Sequence, residues 1–307
     1  MNPLRGIAFK LGSVVVFMTM SSLIKAASDA VPPGEAVFFR SFFAIPVIVV
    51  WLIATRSLKA GLATANPLGH FWRGLMGTAA MGFGFAGLGL LPLPEVTAIG
   101  YAAPLLTVVF AAMFLGEEVR IFRIATVAMG LVGVLIILSP RLSGVSDGAI
   151  DNGEAFGAML VLTGAVFSAL AQVFVRKLVT AEKVTAIVFY FSLTATGISL
   201  ITLPFGWVLP DARTAATLIA AGLLGGVGQV LLTSSYRYAH ASVVAPFEYA
   251  SMVLALLVGY FIFDEAPTLV VLAGAAIVVS AGILIIWRER QLGLERARQR
   301  QSMTPQG

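Results

Sequence analysis

The sequence contains no cysteine and only two histidines among its 307 residues. A chain without cysteine cannot form disulfides, thiolate zinc sites or iron–sulfur clusters. The histidines, His70 and His240, are far apart in the chain and form no metal-binding motif. We therefore predict that the protein binds no metal and no cofactor.

Charged residues are also scarce, at 11% of the chain against about 25% in an ordinary soluble domain. Hydrophobic residues make up 59%, and the mean hydropathy is +0.95. So few charges could not keep a soluble fold in water, and this composition is typical of an integral membrane protein surrounded by lipid. The net charge of +5 comes mainly from basic residues that stand singly between apolar runs, which argues against a nucleic-acid partner.

The sequence also offers no recognisable site for nucleotide-driven or catalytic chemistry. No Gly-x-Gly-x-x-Gly or Walker-type run precedes a helix, so the chain has no recognisable ATP site. An ion channel would require rings of charge or a carbonyl filter, and neither is visible. An intramembrane enzyme would require a catalytic constellation, and two isolated histidines do not supply one. We expect no enzyme activity and no catalytic residues.

Ten segments are long and apolar enough to cross a bilayer, which requires about 20 residues each. Polar or proline-containing stretches separate them, and Pro104 and Pro246 are expected to kink two of them. The backbone must satisfy its own hydrogen bonds in lipid, so the segments are predicted to be helices. The predicted spans are 5–27, 35–55, 71–92, 94–115, 121–140, 154–177, 184–204, 214–236, 241–263 and 267–287.

Lysine and arginine are distributed unevenly between the two sides of these predicted helices. With the N-terminus in the cytoplasm, 16 of the 20 basic residues fall on the cytoplasmic side, Arg73 among them, and three fall outside. Arg40 remains within a helix. Cytoplasmic loops are enriched in basic residues, so we predict that both termini are cytoplasmic and that the protein lies in the inner membrane. The arginine-rich segment 288–307 is expected to anchor at the cytoplasmic membrane surface.

The sequence repeats itself at a constant offset of 148 residues. Gly74, Gly77, Val96, Tyr101 and Glu117 then coincide with identical residues in the second half. Each copy holds five helices, an odd number, so the second copy enters the membrane from the opposite side. Such inverted repeats are typical of secondary transporters. The predicted units are a first repeat at 1–140, a periplasmic linker at 141–153 and a second repeat at 154–287. The first segment has a counterpart in the second repeat, so we interpret it as a helix and not as a signal peptide.

Several short motifs resemble those of a known family. These are Phe38-Phe39-Arg40-Ser41-Phe42, Met113-Phe114-Leu115-Gly116-Glu117-Glu118 and Ser280-Ala281-Gly282-Ile283-Leu284. The chain is identified by them as a member of the drug/metabolite transporter superfamily. It looks like the EamA-type ten-helix transporters, and among them is most similar to YddG-type exporters of aromatic and other amino acids. The resemblance implies export of a small molecule.

Two charged residues are candidates for substrate binding because charge is costly at membrane depth. Glu248, in the ninth predicted helix, would bind a substrate amine or a coupling proton, or only fix helix packing. Arg40, in the second, would hold a substrate carboxylate, or else extend to the interface or pair with Glu35.

Polar residues without charge supply further candidates. Tyr101 and Tyr249 occupy equivalent repeat positions and would stack on an aromatic substrate or simply pack between helices. Ser168 and Gln172 are four apart on one helix face, and Tyr190 lies on the next helix. These groups either line a pore or join helices.

These observations predict an all-α membrane protein of two inverted five-helix repeats. We interpret it as a secondary transporter that exports small metabolites, aromatic and other apolar amino acids in particular, by alternating access. Other solute classes, such as vitamins, nucleosides and organic cations, stay open, and an ion channel is the less favoured alternative. The expected partners are a small-molecule substrate, membrane lipid and, through Glu248, protons.

Overall fold

A computed structural model describes residues 3–115, 121–146, 152–178, 181–238 and 244–303. Within these ranges the regular structure is helical and contains no strand. Two short 3-10 helices are present at Leu200–Thr202 and Ala245–Tyr249. The α-helices are α1 (Pro3–Ala27), α2 (Pro33–Phe42), α3 (Ala44–Ala54), α4 (Leu58–Leu62), α5 (Pro67–Leu90), α6 (Leu93–Gly100), α7 (Ala102–Leu115), α8 (Ile121–Ser146), α9 (Asn152–Leu178), α10 (Val184–Ser199), α11 (Ala212–Tyr238), α12 (Ala250–Phe263) and α13 (Leu269–Met303).

Seven helical stretches of the described chain are long and apolar enough to cross a membrane. Two further apolar helices, Ile124–Pro140 and Phe247–Phe263, are shorter. Large apolar side chains stay on the surface, as at Phe261 (74% exposed) and Leu269 (83% exposed). A surface of this kind is stable in lipid rather than in water. The prediction of an all-helical, multi-pass membrane protein is confirmed. The seven spans are Leu4–Ala27, Pro33–Ala54, Leu93–Phe114, Gly153–Val175, Val184–Thr202, Ala212–Ser235 and Leu269–Arg288.

Two predicted helices are broken near their middle. The second breaks at Phe43, between α2 and α3, and the fourth breaks at Tyr101, between α6 and α7. Each break lies three residues before a proline, Pro46 and Pro104 respectively. Proline has no N–H and its ring collides with the carbonyl four residues earlier, which here belongs to the last residue of the preceding helix. The kink expected from Pro104 is therefore present one turn upstream of the proline.

One predicted boundary differs from the structure. Pro140 was expected to end a helix, but α8 continues through it to Ser146. Proline disfavours but does not forbid a helix when the lost hydrogen bond is replaced. Other predicted features lie outside the described residues: Glu117, His240, the centre of the linker at 147–151 and the start of the ninth span at 241–243.

Helix packing pairs elements from the two halves of the chain. The principal contacts join α1 to α11 and α5 to α9, while α8 packs on α13. Glycines permit close approach at these contacts. A Cβ on Gly74 of α5 would lie 2.6 Å from Cβ of Thr194 in α10, and one on Gly222 of α11 would lie 2.6 Å from the carbonyl oxygen of Phe39 in α2. The two glycines that match in the sequence repeat thus have matching partners.

Candidate functional site

A cavity of about 410 Å³ lies between helices of the first and second halves. Helices α1, α2, α5, α6 and α7 border it from the first half, and α9, α10 and α11 border it from the second. One wall is apolar, with Met18, Met81, Phe85, Leu88 and Val161. A cavity with an apolar wall and a few polar groups is the usual form of a small-molecule site.

The polar lining includes three of the residues predicted from the sequence. Arg40, Ser168 and Gln172 all border the cavity, although they come from α2 and α9. The sequence reasoning missed four further polar lining residues, namely Ser21, Arg73, Thr97 and Gln229. The signal that would have identified Arg73 is its position four residues before Gly77, inside an apolar helix rather than in a loop.

Arg40 and Arg73 have buried guanidinium nitrogens with no hydrogen-bond partner. This holds for Nε and Nη1 of both residues within the described part of the chain. Arg40 is only 3% exposed, and Glu35, its predicted partner, instead accepts a hydrogen bond from the backbone N–H of Val208 at 3.1 Å. Placing one arginine at the centre of a membrane helix costs about 3 kcal/mol on insertion scales. Two such charges beside one cavity are therefore unfavourable unless something binds to them.

The ring of Phe191 lies beside both arginines. Cζ of Arg73 is 3.7 Å from the ring centroid, and Cζ of Arg40 is 5.5 Å from it. Cation–π contact of this kind partly stabilises a guanidinium but supplies no hydrogen-bond acceptor. Both guanidinium groups thus lie within 5.5 Å of the centroid of one ring, which neutralises neither of them.

Glycine provides the space beside each arginine. A Cβ on Gly77 would lie 3.1 Å from Nη1 of Arg73, and a Cβ on Gly225 would lie 3.3 Å from Nε of Arg40. These two glycines coincide in the sequence repeat. Arg73 has no such match, because the residue 148 positions later is Ala221. The sequence thus has arginine at one of these two matched positions and alanine at the other.

The three predicted tyrosines lie outside the cavity lining. Tyr101 and Tyr249 do meet, with ring centroids 5.1 Å apart, and the hydroxyl of Tyr101 hydrogen bonds with that of Ser251 at 2.6 Å. Tyr190 donates its hydroxyl to the carbonyl of Leu62 at 3.0 Å. These contacts are helix-to-helix contacts, as in the packing alternative for each residue.

Glu248 also lies outside the cavity lining. Its side chain is 61% exposed and its Oε2 is 3.3 Å from Nζ of Lys10, which is buried in α1. The carboxylate is therefore held near the end of the bundle where α1 begins. This pair joins the first half of the chain to the second.

A second ion pair lies at the opposite end, where α1 finishes. Nζ of Lys25 is 2.9 Å from Oε1 of Glu265 and donates hydrogen bonds to the carbonyls of Leu88 (3.1 Å) and Leu91 (2.7 Å). The backbone N–H of Leu93 donates to Oε2 of Glu265 at 2.7 Å. Leu88 and Leu93 also line the cavity, so this cluster, the Lys25–Glu265 lock, lies next to the cavity and joins the two halves of the chain there.

A third acidic group joins the halves at the end where α5 begins. Glu182 accepts hydrogen bonds through Oε1 from the N–H of Ala65 and Asn66 and from the Thr64 hydroxyl, at 2.8–2.9 Å. Its Oε2 is 3.6 Å from Nε2 of His70. Burial raises the pKa of the Glu182 carboxyl, but the hydrogen bonds from Ala65, Thr64 and Asn66, together with the nearby His70, outweigh it and hold that pKa below its ordinary value.

Comparison with known proteins gives a family and several relatives. The model of the EamA-like transporter family matches residues 4–139 and 155–287. The S-adenosylmethionine uptake transporter of Rickettsia bellii is 27% identical, over 93% of this chain and 94% of that protein. The pseudopaline exporter CntI of Pseudomonas aeruginosa is 28% identical, over 91% and 95%. The riboflavin transporter of Rhizobium johnstonii is 30% identical, over 93% and 89%.

A solved crystal structure has the same fold. It superimposes with a TM-score of 0.64 over 95% of this chain and 99% of the other, at 22% sequence identity. At this level of identity the likeness concerns the fold alone.

Proposed function

The chain belongs to the EamA-like transporter family, and we propose that it moves a small amphipathic metabolite through the central cavity by alternating access. It is a multi-pass membrane transporter of small metabolites and not an enzyme, as its family and relatives are. The observation that carries the proposal is the cavity itself, which joins an apolar wall to a cluster of polar groups between the two halves.

The proposed architecture is ten membrane helices in two inverted repeats of five. Paired contacts support it, because α1 with α11 corresponds to α9 with α5 under the repeat. The close approaches of Gly74 and Gly222 correspond in the same way. Two halves related by inversion can rock about a central site and expose it to each side in turn. We further propose an inner-membrane location with both termini cytoplasmic, as the distribution of basic residues predicts.

The proposed solute is an amino acid with an apolar or aromatic side chain. Its carboxylate would meet Arg40, its amine would meet the amide oxygens of Gln172 or Gln229, and its side chain would lie on the apolar wall. Export remains the predicted direction. The named relatives include both an uptake transporter and an exporter, so the direction is to be measured.

A second candidate solute is a heterocyclic metabolite such as a vitamin. The observation that favours it is the 30% identity to a riboflavin transporter over 93% of the chain. An organic cation is disfavoured by the two arginines beside the cavity.

The test is counterflow of labelled phenylalanine, tryptophan, methionine, S-adenosylmethionine and riboflavin in proteoliposomes. A cavity-filling variant gives the control. A Cβ at Gly84 or Gly82 would meet nothing within 4 Å, but only Gly84 lines the cavity. The two positions face about 200° apart on α5. Gly84→Leu should therefore block the cavity without disturbing the helix, and Gly82→Leu should leave transport intact.

Saturable movement of one solute, lost in Gly84→Leu and kept in Gly82→Leu, is the expected outcome. The proposal fails if Gly84→Leu transports at the rate of the parent protein, or if none of the five solutes moves. Movement of riboflavin but of no amino acid would select the second candidate.

A further inference from the structure

We infer that Arg40 and Arg73 together form a binding site for an oxyanion, a carboxylate or a phosphate, carried by a solute with an aromatic or apolar body. The inference rests on the proposed function, because the site is the polar end of the same cavity. It goes further by assigning Arg73 to recognition and by requiring negative charge on the solute.

Among the described residues, the two arginines are donors without an acceptor. Nε and Nη1 of both arginines are buried and lack partners among the described residues. Buried polar groups are almost always satisfied, and a buried charge normally has a partner. The described residues thus leave a place for an acceptor that a solute would supply, and negative charge on that solute would compensate the two cations.

The two guanidinium groups are also placed around one aromatic ring. Both guanidinium groups lie against the single ring of Phe191 and line one cavity. Arginine holds carboxylates and phosphates through parallel N–H donors with higher specificity than lysine does. Two such groups at one wall can hold several oxygens of one anion, while Phe191 and the apolar wall contact the remainder of the solute.

The two copies of the sequence repeat differ at the position of Arg73. Gly77 and Gly225 are equivalent in the sequence repeat, and each leaves room for an arginine side chain. The residue equivalent to Arg73 in the second copy is Ala221. A helix framework needs no arginine at that position, since the equivalent helix α11 is built with alanine there. The charge is therefore added to the framework rather than required by it.

The test uses two pairs of probes of similar shape and different charge. These are 3-phenylpropionate with 3-phenylpropionamide, and phenyl phosphate with phenol. Thermal unfolding of the detergent-purified full chain is followed with each probe. We expect the anions to raise Tm and their neutral counterparts to leave it unchanged. A larger shift with phenylpropionate indicates a carboxylate solute, and a larger shift with phenyl phosphate indicates a phosphate.

Variants separate recognition from a structural role. Arg73→Gln and Arg40→Gln should each weaken anion binding by at least about tenfold, since a charged hydrogen bond is lost. Without any probe, Arg73→Gln should raise Tm, because a buried cation without a partner is removed. A structural arginine would lower Tm on removal. Arg213→Gln removes an exposed charge of the same sign and should change neither quantity.

Each failure identifies what is wrong. Equal Tm shifts with the anion and its neutral counterpart, or anion binding that is unchanged in Arg73→Gln, overturn the oxyanion site even if proteoliposomes transport a solute. Arginine-dependent anion binding without movement of any solute across the bilayer supports the oxyanion site and contradicts the proposed transport.

Discussion

Charged side chains at the ends of this helix bundle differ from those in its middle in the partners that they have. At the ends, described acidic groups meet partners within the chain, as Glu265 meets Lys25 and Glu182 meets three donors of the first half. In the middle, Arg40 and Arg73 meet an aromatic ring and no acceptor among the described residues. These carboxylates at the ends thus have partners without solute, while the two guanidinium groups in the middle do not.

This difference suggests a division of roles. Contacts at the ends join the two halves, and under the proposed alternating access they would break and form again as the cavity changes sides. Charges in the middle cannot be satisfied by the chain without excluding the solute.

The largest effect is expected from breaking the Lys25–Glu265 lock. Glu265→Gln leaves Lys25 without its counter-charge at a site where the two side chains are only 13% and 16% exposed. Removing one partner of a buried pair costs about 3 kcal/mol at the lower end of the usual range. We expect a lower Tm in detergent.

The same variant should open that end of the cavity. Because the chain has no cysteine, a single Thr97→Cys in the cavity lining can report access to a membrane-impermeant thiol reagent. Labelling should accelerate when Glu265→Gln is added. Asp264→Asn is the matched control, since Asp264 is an exposed neighbour with φ of 55°, a conformation that asparagine tolerates. Equal labelling rates in the two variants would contradict a closing role for the lock.

The second prediction supplies Arg40, in the middle of the bundle, with an acidic partner from the chain itself. Gly225→Asp places a carboxylate beside Arg40, since a Cβ there would lie 3.3 Å from its Nε. The carboxylate should compete with an anionic solute and weaken its binding by about tenfold or more, the equivalent of one charged hydrogen bond. Gly225→Asn has the same size without the charge. If both variants bind phenylpropionate equally, charge in the middle is not what the solute recognises.

The third prediction concerns pH at the end that holds Glu182. The pKa of this carboxyl is lower in the folded protein than its ordinary value of 4.5. Its contribution to stability is therefore fully present above pH 4.5 and is lost as the pH falls through the lower folded-state pKa. Tm of the parent protein should fall more steeply below pH 4.5 than Tm of Glu182→Gln. Parallel curves for the two proteins would show that the carboxylate contributes nothing.

The smallest effect is expected at Glu248. Its side chain is 61% exposed, although that of its partner Lys10 is only 3% exposed, and water around an exposed carboxylate screens its ion pair. Glu248→Gln should change the rate of counterflow less than about twofold at every pH between about 6 and 8, the range around physiological pH. A pH-dependent loss of transport in this variant would instead support the hypothesis of proton coupling through Glu248.

Sequence reasoning identified part of the candidate site. Arg40, Ser168 and Gln172 were predicted as candidates and line the same cavity. They could be predicted because a polar residue inside an apolar span is easily recognised in the sequence. Arg73 was assigned to the cytoplasmic side because it stands near the start of its helix. Tyr101 and Tyr249 were matched through the repeat as candidates; their rings lie 5.1 Å apart, and neither is part of the cavity lining.

Composition and periodicity alone determined that this is an all-helical membrane protein, because few backbone structures satisfy all their N–H and C=O groups within lipid. Short motifs pointed to its family. Prolines also determined where two helices break, through a clash that is local to one turn. Only the tertiary structure decided which polar groups are satisfied by the chain and which are not. That depends on how helices from both halves are rotated toward one another, and a charge in a linear sequence carries no information about its partner.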